Sequence, residues 1–129
     1  MTKSIIIKSN GGPEVLELQD VDVGSPGPDE IKVTNHAIGL NFIDTYHRSG
    51  LYPLSLPSGI GLEAAGKIDE VGSNVKKFSK GDNIAYASMP IGAYSQQRVI
   101  PAKIAVKVPE GISLKLAAAL MTKGLTTHY

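Results

Sequence analysis

Gly59-Ile60-Gly61-Leu62-Glu63-Ala64 is the stretch on which the fold turns. It matches the loose pattern G-x-G-x-x-A, which in a doubly wound sheet follows a strand and opens a helix, so that a pyrophosphate meets the helix N-terminus. The flanks do not supply that setting. Leu56-Pro57-Ser58 precedes it, and the segment that follows, Ala65–Val71, contains glycine and β-branched residues and reads as a strand. The pattern fails on context. The strand–helix alternation that a doubly wound sheet needs is absent from the rest of the chain as well.

Moving outward, 14 glycines and 8 prolines punctuate short runs rich in Ile and Val, which predicts many brief strands and few helices. Ser4–Lys8 and Val15–Leu18 flank the turn signal Asn10-Gly11-Gly12-Pro13 and predict a hairpin. Glu30–Leu40 reads as a long strand whose apolar phase slips near Ala37, the mark of a bulge. Asn41–Ser49 is the first helix, closed by Gly50. Asp82–Ala87 and Ala93–Val99 are two further strands. Ser113 caps a helix that starts at Leu114 and is expected to break at Gly124. The fold class is therefore mainly β, a compact barrel or sandwich with a few short helices.

Composition excludes several functions. Apolar residues are 42% and charged residues 19% of the 129, an ordinary globular balance. A net charge of +1 gives no reason to expect nucleic acid or an anionic membrane as partner. Lys76, Lys77 and Lys80 form the one basic cluster, at a solvated turn. With no cysteine, disulfides, thiolate metal ligands and a cysteine nucleophile are ruled out together. His36, His47 and His128 lack ligand spacing, so no metal site is predicted. Ile5-Ile6-Ile7 is far too short for a leader or a span, which makes the cytoplasm the expected location.

The richest chemistry lies in Asn41-Phe42-Ile43-Asp44-Thr45-Tyr46, with Arg48 and Gly50-Leu51-Tyr52-Pro53 close behind. An amide, a carboxyl, a guanidinium and two phenols fall within a dozen residues at a strand-to-helix junction, where sites tend to sit. Two readings stand. One is a binding site; the other is a pair of partly buried aromatics beside an Asp44–Arg48 i,i+4 helix pair.

These residues resemble the medium-chain dehydrogenase/reductase superfamily, and most closely its zinc-free quinone oxidoreductase (zeta-crystallin-like) branch. The match runs through Gly11–Leu16, Ala37–Asp44, Arg48–Pro53, Leu56–Gly59, Gly61–Gly66, Val71-Gly72, Gly81-Asp82 and Lys123–Thr126, in order along the whole chain. The resemblance implies a GroES-like, partly open β-barrel over residues 1–129, with a Rossmann domain for NADPH outside this chain. It implies that Asn41, Phe42, Ile43, Asp44, Thr126 and Tyr129 touch the cofactor, and that Tyr46 and Tyr52 line a quinone pocket as wall or acid. It also implies that Glu63 supports the cleft floor. Zinc-dependent relatives carry a ligand His where Leu62 stands and a ligand Cys where Asn41 stands, so the zinc-free branch is expected here. A quinone accepts hydride without the Lewis acid that alkoxide chemistry needs.

On the same resemblance, the chain is expected to stop inside the helix leading to the Rossmann turn, leaving an apolar docking face within Leu114–Leu125. The intact protein is then an NADPH:quinone reductase of a family whose members often form homodimers through the absent domain, and the isolated chain is expected to be inactive. Two other functions fit the sequence: a non-catalytic barrel acting as a binding module or remnant, and a zinc-free reductase of enones or enoyl thioesters.

Overall fold

The computed structural model describes residues 1–128, which form eight strands and two α-helices. Strands β1 (Thr2–Ile7) and β2 (Glu17–Val21) pair antiparallel, from Thr2 opposite Val21 to Ile6 opposite Glu17. This is the expected hairpin with a later second strand. Pro13–Val15 winds into a 3-10 turn, because proline at the first helical position presets the backbone there. The short β4 (Ser58–Gly59) completes this sheet on the other edge of β1.

The second sheet contains β3 (Glu30–Gly39), β5 (Glu63–Val71), β6 (Asn83–Ala87), β7 (Gln97–Pro101) and β8 (Val106–Lys107). Its order is β7-β3-β5-β6-β8, antiparallel throughout. β3 carries the expected bulge, with a register shift between Asn35 and Ala37, and a second shift between Lys32 and Val33. The segment after Gly59-Ile60-Gly61 is strand β5, so the glycine pattern opens no helix. The two sheets lean together without closing. Ile5 N–H donates to the Tyr94 carbonyl at 2.8 Å and Gln96 N–H to the Lys3 carbonyl at 2.9 Å.

On one face of the five-stranded sheet, Ile31, Val33, Ile68, Ile84, Tyr86 and Ile100 pack with Phe78 into the main core. The back of β5 is covered as well, by helix α2 (Leu114–His128), where Ala118 packs on Ala65 and Ala85. Coverage on both faces explains why Glu63, Ala64, Ala65 and Gly66 are all buried instead of alternating. Helix α1 (Phe42–Ser49) follows β3 and ends at Gly50, which is left-handed at φ 88°. Among the described residues no helix is long and apolar enough to cross a membrane.

Two expected boundaries are corrected. α2 does not break at Gly124 but runs to His128. A mid-helix glycine costs only about 1 kcal/mol, and the packing of Ala117, Ala118 and Met121 outweighs it. The strand expected at Ala93–Val99 is instead Gln97–Pro101. The backbone N–H groups of Ala93 and Tyr94 are spent on the carbonyls of Gly61 and Ile60, at 3.0 and 2.9 Å, leaving none there for a regular ladder. The apolar face expected on α2 is present. Leu120 and Leu125 are exposed and share an apolar cleft with exposed Val106 and Ile112.

Candidate active site

The end of β3 delivers the chain to the site. Gly39 lies opposite Glu63 on β5, and a Cβ at Gly39 would collide with the Glu63 carboxyl, so glycine here makes room for that side chain. Glu63 is fully buried and both its oxygens accept hydrogen bonds. Oε1 accepts from Asn41 Nδ2 at 2.9 Å, and Oε2 from the Thr122 backbone N–H on α2 at 2.5 Å. A buried carboxyl is tolerable only with such partners. Through it, β5, the start of α1 and the middle of α2 are tied together.

Asn41 is the N-cap of α1, and its backbone N–H donates to Asp44 Oδ2 at 3.1 Å. The same oxygen accepts from the Tyr94 hydroxyl at 2.5 Å, while Asp44 Oδ1 is buried without a partner. The Tyr94 phenol is pushed well above its ordinary value of 10.0, by burial first and then by its bond to Asp44 and the Asp44 charge. Thr122 Oγ1 is a second buried oxygen without a partner, next to Glu63. A small cleft of about 140 Å³ lies here, lined by Asn41, Asp44, Thr45, Arg48, Ile60 and Tyr94 among others.

Outward from this polar floor stands an aromatic row. Tyr46 meets Phe42 edge-on at 5.8 Å between ring centres and Tyr52 at 5.3 Å, and Tyr52 meets His47 at 5.9 Å. Phe42 is 77% and Tyr52 47% exposed, so flat apolar surface is left uncovered beside fixed polar groups. That combination suits a planar ligand with polar substituents.

The structure thus brings Asn41, Phe42, Asp44, Tyr46 and Tyr52 together, with half-buried Ile43 among them on α1. Thr126 lies one turn beyond Thr122, exposed, with its hydroxyl donating to the Thr122 carbonyl at 2.8 Å. Tyr129 lies outside the described residues. The Asp44–Arg48 helix pair is not formed. Asp44 is engaged by Tyr94, and Arg48 Nε donates to the Gly11 carbonyl at 3.2 Å.

Sequence reasoning missed Tyr94 and Thr122. The signal for Tyr94 was the glycine pattern itself. Gly61 adopts φ +101°, and a Cβ there would strike the Tyr94 ring and come within 2.9 Å of its backbone nitrogen. The glycine that imitates a nucleotide motif makes room for a tyrosine.

Leaning antiparallel sheets, with a cleft where β3 meets α1, define a GroES-like domain. The chain belongs to the alcohol dehydrogenase GroES-like domain family, whose model matches residues 27–110. Its relatives within that family include quinone oxidoreductases and a 2-haloacrylate reductase. The Pseudomonas aeruginosa quinone oxidoreductase is 55% identical over 130 residues, covering 100% of this chain and 40% of that protein. The crystal structure of Escherichia coli quinone oxidoreductase complexed with NADPH superposes with a TM-score of 0.96 at 50% identity, over 98% of this chain and 39% of that one. The 2-haloacrylate reductase of a Burkholderia species is 42% identical over 135 residues, covering 100% of this chain and 40% of that protein. The chain spans about 40% of the length of the curated relatives it matches.

Proposed function

We propose that this chain is the N-terminal, GroES-like part of a cytoplasmic, zinc-independent NADPH:quinone reductase. In this reading Asn41, Phe42, Ile43, Asp44, Thr126 and Tyr129 meet the cofactor, and Tyr46 and Tyr52 wall the quinone pocket. The observation that carries it is the edge-on row of exposed Phe42, half-buried Tyr46 and exposed Tyr52, at a helix whose start is fixed by the hydrogen bond from Asn41 to buried Glu63. The similarity to quinone oxidoreductases, one of them solved with NADPH, supports the same reading. The nicotinamide end of NADPH fits the exposed Phe42 ring, whose flat apolar face is free to take a planar group.

When bound, NADPH supplies the hydride. The chain's own contribution is to orient the acceptor ring and exclude water from one of its faces. The hydride brings both electrons and one hydrogen, so reduction to the hydroquinone takes up one net proton, and the rim position of Tyr52 leaves solvent free to deliver it. The remaining 60% or so of the relatives' length would hold most of the cofactor in a Rossmann domain, docking on the apolar cleft of Val106, Ile112, Leu120 and Leu125. We therefore expect the 129-residue chain alone to show no saturable NADPH oxidation with 1,4-benzoquinone. Joined to that remainder it should turn over, and Tyr52→Ala should raise the KM for quinone about tenfold. Turnover by the isolated chain, or a Tyr52→Ala variant with unchanged quinone kinetics, would overturn the reading.

A second substrate class is favoured by the similarity to 2-haloacrylate reductase. Under that reading the acceptor is an electron-poor alkene. Parallel assays with 1,4-benzoquinone, an alkenal and 2-chloroacrylate separate the two by kcat/KM.

A further inference from the structure

We infer that Tyr94 is a positioning residue of this site: its hydroxyl fixes the Asp44 carboxyl and, through Asp44, the first turn of α1 that presents Phe42 and Tyr46. The inference deepens the proposed reading and rests on it only for its catalytic consequence.

The Asp44 carboxyl is buried and one of its oxygens has no partner, so its orientation depends entirely on the contacts made by Oδ2. Those contacts are two. One is the Asn41 backbone N–H, a neighbour in the same helix turn at 3.1 Å. The other is the Tyr94 hydroxyl at 2.5 Å, which comes from 50 residues away. Of the two, only the second reaches outside α1 and its cap, and it holds the Asp44 side of the first turn, where Asn41–Glu63 and Arg48–Gly11 hold the two ends of the helix.

Tyr94 is well suited to act as an anchor. Its N–H donates to the Ile60 carbonyl at 2.9 Å and its carbonyl accepts from Ile5 N–H at 2.8 Å, so its backbone is held by the loop after β4 and by β1. Its ring lies against Gly61, where no side chain can push it aside. Among the described residues, its bond to Asp44 is the one side-chain hydrogen bond from the Gly92–Gln96 segment to α1. Burial and the bond to Asp44 both favour the protonated phenol, so it remains a donor through neutral and mildly alkaline pH. From Asp44 the connection runs through Asn41 to Glu63 and on to Thr122 of α2. The polar floor is therefore a continuous chain whose outer end is Tyr94.

The test is residue-resolved amide hydrogen exchange on the 129-residue chain. In Tyr94→Phe the ring stays and the donor goes. Exchange at the Asn41 and Asp44 amides should then quicken about tenfold, the effect of losing one hydrogen bond to a carboxylate. The Ile5 and Tyr94-position amides, which use the same segment's backbone, should keep their wild-type rates. Asp44→Asn retains an acceptor for the phenol and should stay within about twofold of wild type, whereas Asp44→Ala should match Tyr94→Phe. Unchanged exchange at Asn41 and Asp44 in Tyr94→Phe would overturn the assignment, as would equal acceleration at Ile5. In the reductase-length protein, Tyr94→Phe should lower kcat/KM for 1,4-benzoquinone about tenfold. An inactive wild-type protein with the expected exchange pattern refutes the quinone reading alone. An active protein in which Tyr94→Phe leaves kcat/KM unchanged refutes the positioning role.

Discussion

The two ends of β3 make opposite use of polar residues. At its Glu30 end lies the larger cleft, about 630 Å³, lined by Asp29, Glu30, Lys76, Lys77, Phe78 and Lys103 among others. At its Gly39 end the cleft of Asn41, Asp44, Arg48 and Tyr94 is about 140 Å³. The first is rich in charge, but Asp29 and the three lysines are exposed and solvated. The second has beside it two buried carboxyl groups, Asp44 and Glu63, tied by four hydrogen bonds to three partners, Asn41, Tyr94 and Thr122. A gap at a strand end costs a fold little, whereas a buried carboxyl is expensive unless it is hydrogen-bonded. The place where a small domain accepts that expense marks its chemistry better than the volume of its clefts.

The difference should break most severely at Gly61. Alanine there must hold a backbone angle of φ +101° and displace the Tyr94 ring. Backbone strain and overpacking together predict a loss of about 4 kcal/mol in unfolding free energy, measured by urea denaturation. A Tyr94→Ala background removes the steric part. The double variant should then lose less than the sum of the singles, and strict additivity would show that the ring and the glycine do not meet.

Glu63→Ala comes next, at about 3 kcal/mol, because Asn41 Nδ2 and the Thr122 N–H lose a shared acceptor in a buried site. Calorimetry checks the magnitude. Heteronuclear NMR should show the largest shifts at Thr122 and Asn41, on two elements distant in sequence. A variant with near wild-type stability would mean that the carboxyl does not hold α2 to the end of β3.

How much of this was legible beforehand depended on whether the signal was local. The bulge in β3, the Gly50 helix stop and the Ser113 cap were readable, because each is decided by a few adjacent residues. The cluster Asn41–Tyr52 was readable as chemistry for the same reason. Tyr94 was not, since its partner is 50 residues away and it falls within the ordinary strand expected at Ala93–Val99. Thr122 contributes a backbone N–H to Glu63, which no side-chain pattern announces. Gly124 misled for the opposite reason. Its local propensity is helix-breaking, and the packing of Ala117, Ala118 and Met121 overrides it.

A smaller effect should separate the ends by pH. Tyr94 in the folded chain holds its proton well above the ordinary value of 10.0, so above that pH the unfolded chain releases a proton that the folded one keeps. The stability this contributes is complete below pH 10 and is lost as pH climbs through that value towards the folded one. Tyr86 is raised too, by burial, and shares the sign. Urea midpoints should therefore fall between about pH 8 and about pH 10.5, and fall less in Tyr94→Phe. An identical alkaline slope in the variant would show that this phenol titrates like an exposed one.

The smallest effect is expected at the larger cleft. Replacing Lys76, Lys77 and Lys103 together by serine removes all its cationic side chains. Of the three, Lys76 donates to the Ser73 carbonyl at 3.2 Å and Lys77 lies 5.5 Å from the centre of the Phe78 ring. Both contacts are at exposed positions, where solvent competes on equal terms. The triple variant should shift unfolding free energy by no more than about 0.5 kcal/mol per site. Amide exchange at Asn41 and Asp44 should not change, since no hydrogen bond runs from this rim to the Gly39 end among the described residues. A change at Asn41 would mean that the ends of β3 are coupled through the strand itself. The chemistry would then belong to the whole sheet and not to the one end where its carboxyls are buried.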